Sequence, residues 1–399
     1  MNRRNLLQSL FGLPWIAGGV LRAQTHDHSA MSVSEGQFNP WVVSDGNGGF
    51  YLAYVQRKDS HSDVQLQRST SNGQFSPGIR VNDKPGDAAV RNENPPKVAV
   101  GPRGEIYVAW ANERERWKGN IRFARSLDGG KSFEPSISVN SGAEGAATGR
   151  AFQSILVDSA GRIFVAWIDE RNKTSEDRGA EIWMAVSENG GKTFSQDRKI
   201  VSDVCECCRL TLATDRTGAI YLSYRMAPRS GPMFRDIAVA RSIDQGRTFR
   251  SRIVHQDRWE LNACPVAGAT MTIDPSGQAH VVWFTQAGDK PKVYLASSRD
   301  QDLSFGAPID FDPNQMMAKH AYAIGLGEGR VFLAWDDLNE VSVVKWGLYT
   351  PASPAVRLMG TIKGASYPVM ARSGKQICLV ALQSERPEIL RRIQSVSTL

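Results

Sequence analysis

The sequence predicts an all-β chain folded as a single propeller of four-stranded blades, and three observations predict it. First, an eight-residue phrase, Ser-x-Asp-x-Gly-x-Ser/Thr-Phe, recurs at Ser126 to Phe133, at Ser187 to Phe194 with Asn189 in the Asp place, and at Ser242 to Phe249, with weaker copies at Ser298 to Phe305 and Ser69 to Phe75. Second, a glycine is followed six residues later by an aromatic at Gly48/Tyr54, Gly104/Trp110, Gly161/Trp167, Gly218/Tyr224, Gly277/Trp283 and Gly329/Trp335, with Gly374/Val380 as a seventh pair. Successive glycines lie 56, 57, 57, 59, 52 and 45 residues apart. Third, no segment carries a convincing helical periodicity. A four-strand unit recurring at that spacing is the pattern of propeller blades.

Each element follows from its residues. The glycine turn joins a first strand to a second, as between Lys97 to Val100 and Glu105 to Trp110. A third strand, such as Asn120 to Arg125, leads into the eight-residue phrase, and a fourth, such as Ser136 to Asn140, leaves it. The phrase itself reads as a tight hairpin turn: Asp or Asn caps backbone N–H groups, Gly supplies a positive φ, the hydroxyls tie the loop, and Phe plugs the space beneath. Six repeats are near complete, whereas the last offers Pro368 to Arg372, Gln376 to Leu382 and Glu388 to Val396 without a fourth strand. The stretch Ala30 to Phe38 is expected to supply that strand, closing a ring of seven blades and removing two exposed edges. Six blades is the alternative.

A chain of 399 residues with 36 glycines, 10 tryptophans and 22% charged residues buries a large core. Residues 1–23 contain no acid, carry Arg3 and Arg4, and run through an apolar stretch from Leu6 to Val20 to Leu21-Arg22-Ala23, which reads as an export signal with a small-residue cleavage site. Arg3-Arg4-Asn5-Leu6-Leu7 looks like a twin-arginine signal, which implies export in the folded state, with a general secretory signal as the alternative. The expected organisation is therefore a signal over 1–23, a mature N-terminal segment over 24–38 and the propeller over 39–399, in a periplasmic or secreted protein. Loss of 1–23 leaves 45 basic against 41 acidic residues, evenly mixed, which carries no nucleic-acid footprint. No other segment approaches the roughly 18 apolar residues of a membrane span.

Strand parity selects a face. The glycine turns and the Asp-phrase turns share one side of the ring, so the connections from second to third strand and from blade to blade lie on the other. There Trp110 is followed by Asn112, Glu113 and Arg114, Trp167 by Asp169, Glu170 and Arg171, and Trp335 by Asp336 and Asp337, while Arg225 follows Tyr224 in a loop that ends in Arg235 and Asp236. Arg209 and His320, the latter just before the first strand of the sixth repeat, complete the ligand-binding candidates. Such a ring of acids and arginines suits a small anionic or polar ligand or a glycan. The competing reading is a set of salt bridges between neighbouring loops.

The sharpest local anomaly is Cys205-Glu206-Cys207-Cys208, followed one repeat later by Cys264-Pro265. Cys205 and Cys264 each fall nine residues before the end of a first strand, at Thr214 and Ile273, so the two segments should meet on the functional face. In an exported protein this reads as one or two disulfides clamping two loops. The alternative is a thiolate site for a soft ion, copper(I) or zinc(II), although Cys-x-Cys-Cys matches no common zinc module. Cys378, inside a strand, reads as a buried free thiol.

The turn phrase and its spacing resemble the Asp-box, or BNR, repeats of the sialidase-like propellers, over essentially all of the mature chain. The resemblance implies a propeller and raises sialidase-type hydrolysis. Sialidases bind the sugar carboxylate through three arginines and place one in a Phe/Tyr-Arg-Ile-Pro phrase of the first repeat. Here Phe38-Asn39-Pro40-Trp41 stands in that place without an arginine, so no catalytic residue is transferred. Cys205, Cys207, Cys208, Tyr224, Arg225, Arg235, Asp236, Trp259, Cys264 and Pro265 together resemble a group of exported bacterial Asp-box proteins with a Cys-x-Cys-Cys segment. His26-Asp27-His28 with Met31 is similar to the His/Met stretches of exported copper-handling proteins. The expected function is a binding or accessory module acting at the face of blades four and five, through a ligand or a metal ion. An exo-glycosidase and a protein-interaction platform are the alternatives.

Overall fold

Each Asp turn is closed by its own side chains. In the computed structural model, which describes residues 35–395 apart from 71–72, 92, 113–117, 143–147, 175–178, 289, 301 and 316, the Ser126 hydroxyl accepts the Gly130 N–H at 2.8 Å. The Asp128 carboxylate accepts the Ser132 N–H at 3.0 Å and its hydroxyl at 2.5 Å. Asp244 holds Thr248 by the same two bonds, at 2.8 and 2.6 Å, and the Asn189 side-chain carbonyl accepts the Thr193 N–H at 3.1 Å. Beneath these turns Phe133, Phe194, Phe249 and Phe305 pack half-buried into the junction with a neighbouring blade. At the glycine turns the backbone angle makes the demand: Gly104 has φ +87° with open space where a Cβ would point.

These turns fold the chain into seven antiparallel sheets arranged as a propeller ring, with no helix among the described residues. Blade one comprises Gly36–Ser44, Phe50–Lys58, His61–Arg68 and Ile79–Arg80. Blade four comprises Thr211–Thr214, Ile220–Arg225, Ile237–Ser242 and Arg250–His255. Neighbouring first strands touch one another around the ring and so line its axis. Second strands such as Ile220–Arg225 are buried throughout, because Leu222 faces one junction and Tyr221 the next. Seven apolar clusters occupy the seven blade-to-blade junctions. The aromatic six residues after each turn glycine is a member, and several of these indoles donate to loop carboxylates: Trp167 to Asp169 at 2.8 Å, Trp283 to Asp257 at 2.7 Å and Trp335 to Asp312 at 2.6 Å.

Closure differs from expectation. The described part of Ala30 to Phe38 leads into Gly36–Ser44, which pairs with Phe50–Lys58 as the first strand of blade one, so these residues cannot also complete the last blade. Blade seven has three strands, Ala365–Ser373, Gln376–Gln383 and Ile389–Ser395. The ring closes instead by side-chain packing of Val42, Leu52 and Tyr54 against Val369, Cys378 and Val380. Polar links reinforce it, with the Gln37 N–H donating to the Pro387 carbonyl at 2.5 Å and Arg391 donating to Gln37 and Gln67 at 3.2 and 2.9 Å. The signal reading over 1–23 and the histidines of 26–28 lie outside the described residues, as do Glu113 and Arg114.

Candidate functional site

Near the axis the first strands are deformed in a recurring way. Asn39, Glu93, Phe152 and Tyr367 hold left-handed backbone angles, φ +53°, +65°, +57° and +53°, at or just ahead of the first strands of blades one, two, three and seven. Strand register slips between Phe38 and Trp41 and again between Ser366 and Val369, as a β-bulge requires. Bulges re-aim side chains, and non-glycine residues in this region store strain that clusters at functional sites.

Glu93 is the hub of what those deformations bring together. Its Oε1 stands 3.3 Å from Arg209 Nη1 and 3.9 Å from His320 Nε2, while its Oε2 accepts the Gly268 N–H at 2.8 Å. His320 Nδ1 lies 2.7 Å from Asp336 Oδ2, which also accepts the Tyr367 N–H at 2.8 Å, and the imidazole stacks on the Tyr367 ring at 4.0 Å. Lys97 is buried with its Nζ 2.9 Å from the centre of the Trp41 ring. Burial, and after it the charge of Arg209, push its ammonium well below the usual lysine range, against the pull of Glu93. Tyr322 meets Trp41 edge-on at 5.7 Å, and burial pushes its phenol up to about 12.

The cluster is short of partners. Among the described residues Lys97 Nζ, Arg209 Nε, His320 Nε2, Asn39 Oδ1, Gln153 Oε1 and Asp336 Oδ1 are buried without a hydrogen bond. Native interiors leave few such atoms, so a concentration of them at one place marks a site that a ligand or ordered water completes. Asn39, Trp41, Glu93, Arg209, Tyr367 and Leu382 line one cleft beside them. Chemically the set offers a guanidinium suited to a carboxylate, an imidazole whose Nδ1 is fixed by Asp336 and whose Nε2 faces the cluster, and a lysine biased toward the neutral amine.

Of the residues singled out from sequence, Arg209, His320 and Asp336 converge here, and the other ring residues lie elsewhere. Arg225 is wholly buried and donates to the carbonyls of Ala267, Arg235 and Phe284 at 2.6 to 3.1 Å, which occupies four of its five N–H groups. Arg235 donates to the Leu261 and Ala263 carbonyls at 2.9 and 2.8 Å, and Asp236 accepts the Arg258 N–H at 2.9 Å. Arg171 bridges Asp169 and Asp197, each at 2.6 Å, over the Trp183 ring. Glu170 stays half-exposed, its carboxyl raised by burial. Asp337 bonds the Met317 N–H at 3.1 Å and Lys345 at 3.1 Å. Glu93 and Lys97 were not reached from sequence. The signal for them was the recurrence of proline one or two residues after a left-handed residue, at Pro40, Pro95 and Pro368.

Beside the cluster, a Cys207–Cys264 disulfide joins the two cysteine segments. Cys205 and Cys208 are buried thiols with sulfurs 3.5 Å apart, and Cys378 is a buried thiol of the last blade whose pKa burial raises to about 12.

The fold and this centre define a seven-bladed Asp-box propeller with a polar axial site. The chain belongs to the BNR repeat-like domain family, which matches residues 49–378. No curated protein matches it significantly in sequence. Among solved structures it is similar in fold to a PL25 ulvan lyase bound to -[GlcA(1-4)Rha3S]-, with TM-score 0.62 and 11% identity over 91% of this chain and 95% of that one. The polysaccharide lyase Uly1 aligns with TM-score 0.58 and 11% identity over 94% and 95% of the two chains. The NanB sialidase from Streptococcus pneumoniae aligns with TM-score 0.52 and 10% identity over 88% and 90%.

Proposed function

We propose that this is an exported glycan-active propeller that takes a carboxylate-bearing sugar at its axial site. The observation that carries the reading is the set of buried nitrogens without a hydrogen bond, Lys97 Nζ, Arg209 Nε and His320 Nε2, gathered around Glu93. In this reading Arg209 meets the sugar carboxylate, and the arginine enters from the blade-three-to-four connection that also carries the cysteines. His320, oriented by Asp336, moves the proton, and Lys97 serves as a neutral amine beside it. Trp41 and Tyr367 supply ring faces to a pyranose. Support also comes from the fold, which is shared with proteins described as lyases and sialidases of acidic glycans. Hydrolysis and β-elimination both draw on these groups, and the products separate them.

The test is to incubate the purified mature protein with a panel of uronate-containing and sialylated glycans. Ultraviolet absorbance of an unsaturated uronate, new reducing ends and free sialic acid are followed together, with direct binding measured in parallel. Turnover of one acidic glycan, abolished in a folded His320→Ala variant, is the expected result. Neither binding nor product from any acidic glycan overturns the reading, and binding without turnover returns the protein to a lectin-like accessory role.

A further inference from the structure

Cys205, Cys207 and Cys208 lie on the connection into blade four, and Cys264 lies on the connection into blade five. The sulfurs of Cys205, Cys207 and Cys208 all lie within 4.8 Å of one another, and Cys205 Sγ is 3.5 Å from each of the other two. A tetrahedral zinc with metal–sulfur bonds of about 2.3 Å separates its sulfurs by about 3.8 Å. Three vertices of such a tetrahedron are therefore nearly in place in the folded chain. The fourth sulfur, Cys264, is held alongside by its bond to Cys207, with the two Cα atoms 6.3 Å apart. We propose that, once this disulfide is reduced, Cys205, Cys207, Cys208 and Cys264 bind one zinc(II) ion as a closed tetrathiolate site.

The surroundings fit an anionic metal–thiolate unit. Zinc with four thiolates carries two net negative charges, and the charges of Arg225 and Arg235 reach these thiols. Both guanidiniums are locked on backbone carbonyls, so their charge stays in place in either state of the cysteines. The Ala267 N–H points at the Cys208 sulfur, and Cys205 Sγ stands 3.5 Å from it. An N–H aimed at sulfur is also the usual outer partner of a metal-bound thiolate. Glu206, the acid within the segment, stands 3.8 Å from Lys173, and its charge on Cys205 and that of Glu93 on Cys208 oppose the two arginines.

Access is asymmetric, which makes the site redox-gated. Cys264 is exposed, whereas Cys205, Cys207 and Cys208 are buried. An external dithiol attacks Cys264 sulfur, Cys207 leaves as thiolate and takes up a proton, and the second thiol of the reductant closes its own disulfide. Two electrons pass to the protein, which then holds Cys207 and Cys264 as thiols. Zinc binding expels the thiol protons. The consequence reaches the axis, because the same two segments carry Arg209 and Gly268, both partners of Glu93. Disulfide or zinc, one cross-link holds that geometry.

The experiment reduces the mature protein with a dithiol in the absence of oxygen and offers cobalt(II) as a visible probe, then zinc(II). Expected is uptake of roughly one equivalent of cobalt with sulfur-to-metal charge transfer and tetrahedral visible bands, reversed by zinc and absent from the disulfide form. Cys208→Ser and Cys264→Ser, checked for folding by circular dichroism, should each weaken binding by about tenfold or more and lower the charge-transfer intensity, whereas Cys378→Ser should change neither. The proposal is overturned if the reduced protein retains less than roughly a tenth of an equivalent, or if the first two variants bind as the parent does. It is equally overturned if reduction unfolds the protein and zinc fails to restore it. None of these outcomes depends on glycan turnover.

Discussion

The Glu93 carboxylate and the Arg209 guanidinium stand 3.3 Å apart at the centre of the ring, on the connections leading into blades two and four, with side chains 0% and 6% exposed. For a pair so buried, desolvation offsets most of the Coulomb attraction, and the large effect is that of removing one partner. Arg209→Met is expected to cost about 3–5 kcal/mol, since it strands a buried carboxylate. The double variant Glu93→Gln, Arg209→Met should cost less than the sum of the singles. Urea unfolding of the three variants measures the coupling, and additivity within about 0.5 kcal/mol would show the two groups to be independent.

Lys97 carries the opposite sign of prediction. Its folded pKa is depressed by burial, so the folded protein binds this proton less readily than the unfolded chain does. The group therefore weakens the fold below the unfolded value of 10.5, and stability recovers as pH rises toward it. Lys97→Met keeps the chain volume and removes the charge. It should leave stability unchanged or raise it by about 1 kcal/mol while abolishing glycan turnover. Thermal melts between neutral and alkaline pH should lose the rising limb in the variant. A large loss of stability at neutral pH would instead make the ammonium a structural cation over Trp41.

Arg225 looks like a ligand-binding arginine in the sequence and behaves as a tie-rod in the fold. Replacing it by Met removes its hydrogen bonds to the buried carbonyls of Ala267, Arg235 and Phe284, each bond worth about 1–3 kcal/mol when its acceptor is left short of a partner. Loss of soluble folded protein, or a melting temperature far below the parent's, is the expected result for Arg225→Met. Lys in its place should rescue little, because one ammonium cannot follow a planar fork onto three carbonyls. A variant of full stability that has lost only ligand affinity would return Arg225 to the binding face.

The contrast between Arg225 and Arg209 shows what could be read from the chain and what could not. Turn chemistry is local, so Asp128, Asp244 and the glycines near residues 104 and 218 announced the blades and their spacing. That the Cys264 segment meets the triplet followed from equivalent positions one repeat apart, while the disulfide to Cys207 in particular did not. Whether a loop arginine faces carbonyls or a cleft depends on residues dozens of positions away, Phe284 for Arg225 and Glu93 for Arg209, and no local pattern encodes that. The site residue Lys97 looked like the polar start of an ordinary strand. Ring closure misled for a related reason: a three-stranded last blade suggests a borrowed strand, whereas packing of Val42 and Leu52 on Val369 and Val380 closes the ring without one.

The Asp turns give a pH prediction with a built-in control. Hydroxyl and backbone donors, Ser132 first for Asp128 and Thr248 first for Asp244, hold both carboxyls below the ordinary 3.8. A depressed carboxylate contributes stability that is present above its unfolded value and is lost as pH falls through the folded one. The acid limb below 3.8 should therefore contain a term from these turns. The third copy shows that an amide preserves the geometry, since Asn189 accepts the Thr193 N–H at 3.1 Å and donates to its hydroxyl at 2.8 Å. The double variant Asp128→Asn, Asp244→Asn should accordingly stay within about 0.5 kcal/mol of the parent at neutral pH, as exposed substitutions generally do. Its melting temperature should fall less steeply than the parent's between pH 3.8 and strongly acid conditions. Parallel acid limbs in the two proteins would mean that the turns keep their hydrogen bonds when protonated and that acid unfolding begins at other carboxylates.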